Sequence, residues 1–210
     1  MPILSPRRLL PCSAILSRAI VKTILIAGLA FVGSVPALAA DAVPAWVSDA
    51  RHAAQALGGQ LKGALTRAVE SSGLNAAVAV CQLQAPAIAD GVSNETLTVS
   101  RTALRVRNPD NAPDAWERHV LEDFERRLAL GEDPARMEVF AIRNKDGNSR
   151  GHWMKAIPTG GLCLACHGAN VDPDLRQTID ERYPQDQATG FEAGSLRGAF
   201  SVSVDLPEPD

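Results

Sequence analysis

The chain has 210 residues, 46% apolar and 21% charged, with a net charge of −3. That length suffices for one well-buried domain and is marginal for two. Without its first 39 residues the chain loses four basic residues and no acidic ones, so its charge becomes −7, which argues against nucleic acid or an anionic membrane as partner.

Arg7, Arg8, Arg18 and Lys22 precede an apolar run from Thr23 to Val35, which is followed by Ala37-Leu38-Ala39. A basic start, an apolar stretch and an A-x-A site predict a signal peptide over residues 1–39, cleaved on export to the periplasm. The run is shorter than the ~20 residues that a membrane-spanning helix needs. Residues 40–210 are then one domain. Cleavage removes Cys12 and leaves Cys81, Cys163 and Cys166, an odd number for a compartment that oxidises thiols into pairs.

Alanine and leucine dominate residues 46–70, which predicts one long N-terminal helix, kinked at Gly58-Gly59 or Gly63. Ser71-Ser72-Gly73 stops it. Leu74 to Gln84 is apolar enough for a second, buried helix ending before Pro86, with Cys81 in the core. Residues 96–106 read as a strand closed by Asn108-Pro109. Asp114 and Glu117 stand at capping spacing and open a helix with Trp116, Val120, Leu121, Phe124 and Leu128 on its apolar face, ended by Gly131. Residues 137–143 and 151–157 form a predicted antiparallel hairpin across Asp146-Gly147. Residues 196–206 make a last strand, and 207–210 a frayed tail.

Cys163-Leu164-Ala165-Cys166-His167 is C-x-x-C-H, the attachment signature of c-type haem. Two thiols add across the two vinyl groups of the porphyrin, so they must stand about one helical turn apart. The next residue's imidazole reaches the iron from the same side. Zinc would want a second ligand pair, and the sequence has none. A thioredoxin-type dithiol would open a helix in a βαβ unit, whereas here the motif follows a hairpin and a Pro-Thr-Gly-Gly turn, which we read as a glycine-flanked loop. One covalent haem c is expected, held by Cys163 and Cys166 with His167 on the iron.

The opposite face of the iron has several candidate ligands. Met137 and Met154 lie on strand segments and read more simply as core. His52 and His119 sit in polar helical stretches, and His152 reads as a surface or supporting group. Cys81 is a lone thiol in an apolar segment, and either an iron bond or simple burial accounts for it. Arg101, Arg105 and Arg107 are candidate partners for the haem propionates through charge-assisted hydrogen bonds, or else a solvated strand face. Glu117, Glu122, Asp123 and Glu125 read as a solvated helix face.

Four segments carry a resemblance: Ala76–Ala89 (AAVAVCQLQAPAIA), Arg101–Glu117 (RTALRVRNPDNAPDAWE), Cys163–Gly168 (CLACHG) and Tyr183–Val204. In this order they resemble a bacterial c-type haem family of PAS-like fold, long catalogued as a domain of unknown function and typified by a cyanobacterial protein with cysteine/histidine-ligated haem. The resemblance spans nearly the whole chain after residue 39. It implies an α+β fold with a central antiparallel sheet flanked by helices, and axial ligation by His167 and by Cys81, whose counterpart precedes an Ala-Pro pair as Cys81 precedes Ala85-Pro86. One departure is Ala103, where serine is common in the family; it touches no ligand.

Thiolate opposite imidazole favours ferric iron. With both axial positions filled, an oxygenase or peroxidase resting state is disfavoured, and no nucleophile–base pair flanks the motif, so an enzyme is not expected. A redox- or gas-responsive sensor module is the first expectation, signalling to a separate protein. A small periplasmic electron-transfer cytochrome is the alternative.

Overall fold

The computed structural model describes residues 43–145 and 148–207; the expected signal peptide, the hairpin turn at Asp146-Gly147 and the last three residues lie outside them. Helix α1 spans Ala45–Ala79, and its Val47, Ala50, Ala54 and Leu57 recur at helical spacing on one buried stripe. The helix runs through Gly58-Gly59 and Gly63 rather than kinking there. Gly58 serves close packing instead, since a Cβ at that position would sit 2.8 Å from the Phe200 ring. The break falls at Gly73, whose φ of 80° and ψ of 177° leave the helical region and redirect the last turns of α1.

Helical winding does not stop before Pro86, as the sequence had suggested. Val80–Gln84 forms a π-helical turn and α2 (Ala85–Val92) follows directly, with Pro86 in its first turn, where a missing N–H costs no hydrogen bond. Cys81 lies on the π turn and is exposed rather than in the core. Val80 and Ala77 take the buried positions of this segment.

Strands β1 (Leu97–Thr102), β2 (Glu138–Lys145), β3 (Asn148–Pro158) and β4 (Leu196–Asp205) form one sheet in the order β1-β4-β3-β2, antiparallel at every pair. Phe140 pairs with Trp153, and Trp153 with Val202. Period-two alternation sends neighbours to opposite faces. Leu97, Val99, Trp153, Val202 and Val204 pack under α1, while Met154, Ala156, Leu196 and Ala199 pack under α3 (Ala115–Ala129) through Val120, Leu121 and Phe124. The sheet is thus covered on both faces, which makes the fold α+β with a long N-terminal helix. Asp114 caps α3 with a reciprocal box to Glu117.

A third cluster matters most for function. Leu175, Ile179 and Tyr183, from α5 (Pro173–Arg182) and its C-cap, pack on Val78 at the end of α1, with Cys166 against them. This cluster brings the C-x-x-C-H segment against the turn that carries Cys81. Among the described residues no helix is long and apolar enough to cross a membrane.

Candidate haem site

The C-x-x-C-H motif is a short helix, α4 (Gly161–His167), rather than a loop. On a helix, positions i, i+3 and i+4 share a face, so Cys163, Cys166 and His167 project together. Seven residues form a marginal helix in isolation, and neighbouring segments hold this one in place. The Cys166 carbonyl accepts from Arg107 Nη2 at 2.7 Å, the His167 carbonyl from Phe191 N–H at 2.9 Å, and the Gly168 carbonyl from Gly190 N–H at 3.0 Å. The C-terminal carbonyls, which no helical turn can satisfy, are thus met by one arginine and by the loop before β4. Gly168 ends the helix where only glycine fits: a Cβ there would stand 2.5 Å from the Leu164 carbonyl oxygen.

His167 Nδ1 donates to the Ala188 carbonyl at 2.6 Å, which leaves Nε2 as the free nitrogen. Burial above all, then the charges of Arg197 and Arg107, push its pKa down to about 3. The ring is therefore neutral and keeps a lone pair. Burial raises the Cys166 thiol. Cys163 and Cys166 are both free thiols. Among the described residues no three His, Cys, Asp or Glu side chains stand close enough to hold a metal ion by themselves.

One cavity joins Cys163, Cys166 and His167 of α4 with Cys81 of the π turn. Its walls are largely apolar, from Ala77, Val78, Val106, Ile157 and the 44% exposed Leu162. Gln82 ties the π turn to the end of α5: its Nε2 donates to the Arg182 carbonyl at 3.3 Å and its Oε1 accepts from Arg182 Nη1 at 3.0 Å. Among the candidate ligands for the far side of the iron, Cys81 alone lines this cavity. Met137 and Met154 are fully buried in the core beneath α3. His52 and His119 are exposed, and His152 stacks edge-on against Trp116.

The three candidate arginines separate. Arg101 lines the cavity, and burial foremost lowers its guanidinium. Arg107 also borders it, but its guanidinium is committed elsewhere: it is buried against Asp186 and donates to the Cys166 and Ala188 carbonyls. Arg105 leaves the site, being exposed and stacked 3.9 Å from the centroid of Phe191, because it lies in the bend that follows the end of β1 at Thr102. Two lining residues lacked an assigned role in the sequence, Arg197 and Tyr183. A signal for Arg197 existed, since it is the one charged residue between Leu196 and Val204. Tyr183 is buried, and burial foremost pushes its hydroxyl up to about 12.

The residues fit a haem. Two free thiols share a face with a neutral imidazole, a further thiol stands in the same cavity, the walls are apolar, and two cationic side chains reach the cavity without a carboxylate partner among the described residues.

No functionally curated protein matches the chain significantly. The fold resembles the crystal structure of the cyanobacterial heme-protein Tll0287 with a TM-score of 0.53 and 24% identity, over 80% of this chain and 100% of that one. The model of the Tll0287-like family matches residues 39–205, from the end of the predicted signal segment to the end of β4, and the chain belongs to that family.

Proposed function

We propose that this chain is an exported mono-haem c protein with His167 and Cys81 as axial ligands, working as a redox- or gas-responsive sensor module. The observation that carries the reading is the cavity shared by α4 and the π turn, in which Cys81 faces the C-x-x-C-H helix. Family membership and the likeness to a heme-protein support the cofactor.

The haem would supply a one-electron couple at its iron. Cys163 and Cys166 would hold it by two thioether bonds, each sulfur adding to one vinyl group. His167 presents Nε2 because Ala188 takes its Nδ1 proton. Cys81 would donate negative charge as thiolate and so favour the ferric state. Protonation of its sulfur on reduction, or competition from a small neutral gas, would release it. The π turn is the element that would then move, and it is poorly covered, with Cys81, Leu83 and Gln84 all exposed. An electron carrier, by contrast, keeps both ligands through the cycle.

Optical spectra of the periplasmically matured protein, ferric and dithionite-reduced, beside Cys81→Ala test this. Loss of the ferric thiolate signature in the variant, and its loss in the wild type on reduction, are expected. A thiolate retained on reduction makes the protein an electron carrier. Identical wild-type and variant spectra remove Cys81 from the iron.

A further inference from the structure

Arginines elsewhere on the described surface show how this protein treats its cations. Arg51, Arg107, Arg126, Arg127, Arg143, Arg150 and Arg176 each meet a carboxylate. Most of the others are exposed. Arg101 and Arg197 differ on both counts: neither is exposed, and neither forms an ion pair among the described residues. A half-buried charge without a counter-charge is costly and calls for a partner.

Both point into the same cavity and approach it differently. Arg101 is on β1, near Cys81 and Tyr183, and Arg197 opens β4, near Cys163 and Arg107. Phe191 orients Arg197, whose guanidinium carbon lies 5.2 Å from the ring centroid, and the Arg105 carbonyl accepts from its Nη1 at 3.4 Å. The groups facing them are Cys81, Cys163, Tyr183, His167 and the Arg107–Asp186 pair. Asp186 is already matched by Arg107. The two cations therefore repel each other with no local anion between them, and burial foremost pushes Arg197 down to about 10.

We infer that Arg101 and Arg197, and neither Arg105 nor Arg107, form a two-cation clamp that binds the two carboxylates of the haem edge. The inference rests on the haem reading above. Two carboxylates match the number and sign of the unpaired guanidinium groups, and guanidinium recognises carboxylate through paired N–H donors. The clamp also has an electrochemical consequence. Cations beside the carboxylates hold them ionised to low pH and offset their charge at the iron.

The test is the midpoint potential of the matured holoprotein as a function of pH, for wild type, Arg101→Gln/Arg197→Gln, Arg101→Lys/Arg197→Lys and Arg105→Gln. Release and protonation of Cys81 on reduction gives wild type a slope of its own, to which the clamped carboxylates should add none between about pH 5 and 8, so each variant is read as its difference from wild type. The double glutamine variant should have a lower potential than wild type at pH 8, and the gap should close as pH falls and the freed carboxylates take up protons. Lysine should restore the wild-type profile, and Arg105→Gln should follow wild type. A purely structural role would not create a pH-dependent gap that a cation abolishes. A double glutamine profile that superimposes on wild type, or an equal gap in Arg105→Gln, overturns the clamp. Covalent haem content by pyridine haemochrome separates the two levels: wild type without haem refutes the haem reading itself, whereas haem-loaded variants with unchanged profiles refute only the arginines. If the double glutamine variant loses haem, retention in the lysine variant supports the clamp and equal loss there overturns it.

Discussion

Replacing Arg107 by methionine should be the most damaging substitution outside the sheet core. Its side chain is 9% exposed and that of Asp186 is 1% exposed. Nε and Nη2 reach the two carboxylate oxygens at 3.1 and 3.2 Å, and Nη2 also serves the Cys166 and Ala188 carbonyls. Methionine fills much of the volume but leaves the buried Asp186 carboxylate with only the Ala188 N–H and the more distant Arg176, whose Nη1 stands at 3.8 Å, a loss of about 3–5 kcal/mol. Urea unfolding of the full chain, followed by circular dichroism, measures it. Arg107→Met/Asp186→Leu should recover more than half of the loss, since no charge is then stranded. Burial pushes Asp186 up, but the Arg107 hydrogen bonds and the Ala188 N–H outweigh it and hold the carboxyl below its usual range. Its stabilising contribution is therefore present above the unfolded pKa near ~3.9 and fades as pH falls through the lower folded value. A cost below about 1 kcal/mol for Arg107→Met, or a double variant as damaged as the sum of the singles, would refute this account of the pair.

Gly168→Ala should push the end of α4 away from the Leu164 carbonyl, costing about 1–3 kcal/mol and lowering the haem-to-protein ratio measured by pyridine haemochrome. Asp114→Ala removes the cap of α3 and should cost about 1 kcal/mol in thermal unfolding, with haem content unchanged. Phe124→Ala opens a cavity beneath the same helix and should cost about 3–5 kcal/mol. If the cap variant proves as damaging as the core variant, α3 owes its stability to local hydrogen bonds rather than to the sheet it covers.

The sequence made the sheet legible because its signals are local. Alternation, the Asp-Gly turn and the Asp114/Glu117 cap each depend on residues a few positions apart, and the strands lie within a few residues of expectation. What it hid depends on distant partners. Gly58-Gly59 looked like a kink, but the side chain of Phe200 from β4 fills the space that Gly58 opens. The C-x-x-C-H segment looked like a loop because α4 draws its hydrogen bonds from Arg107 and Phe191, far away in the chain. Arg101, Arg105 and Arg107 looked equivalent at spacing two, yet an ion pair with Asp186 and a stack on Phe191 give each a different fate. Apolar neighbours suggested a buried Cys81, whereas the π turn shifts the winding and places it at the cavity edge.

The two ends of the proposed iron axis are not equally anchored, and this asymmetry bears on function. His167 belongs to a helix whose last two carbonyls are bonded to Phe191 and Arg107; its ring is fixed by Ala188, and the supporting arginine is locked to a buried aspartate. Cys81 belongs to a π-helical turn between Gly73 and Pro86, tied to the rest of the protein through the buried Val80 and the Gln82–Arg182 bonds. A carrier of electrons gains from two rigid ligands, since movement adds to the cost of each transfer. A switch needs one ligand held and one free to leave. The buried ion pair stands on the histidine side and the exposed π turn on the cysteine side, which is the arrangement the proposed switch requires.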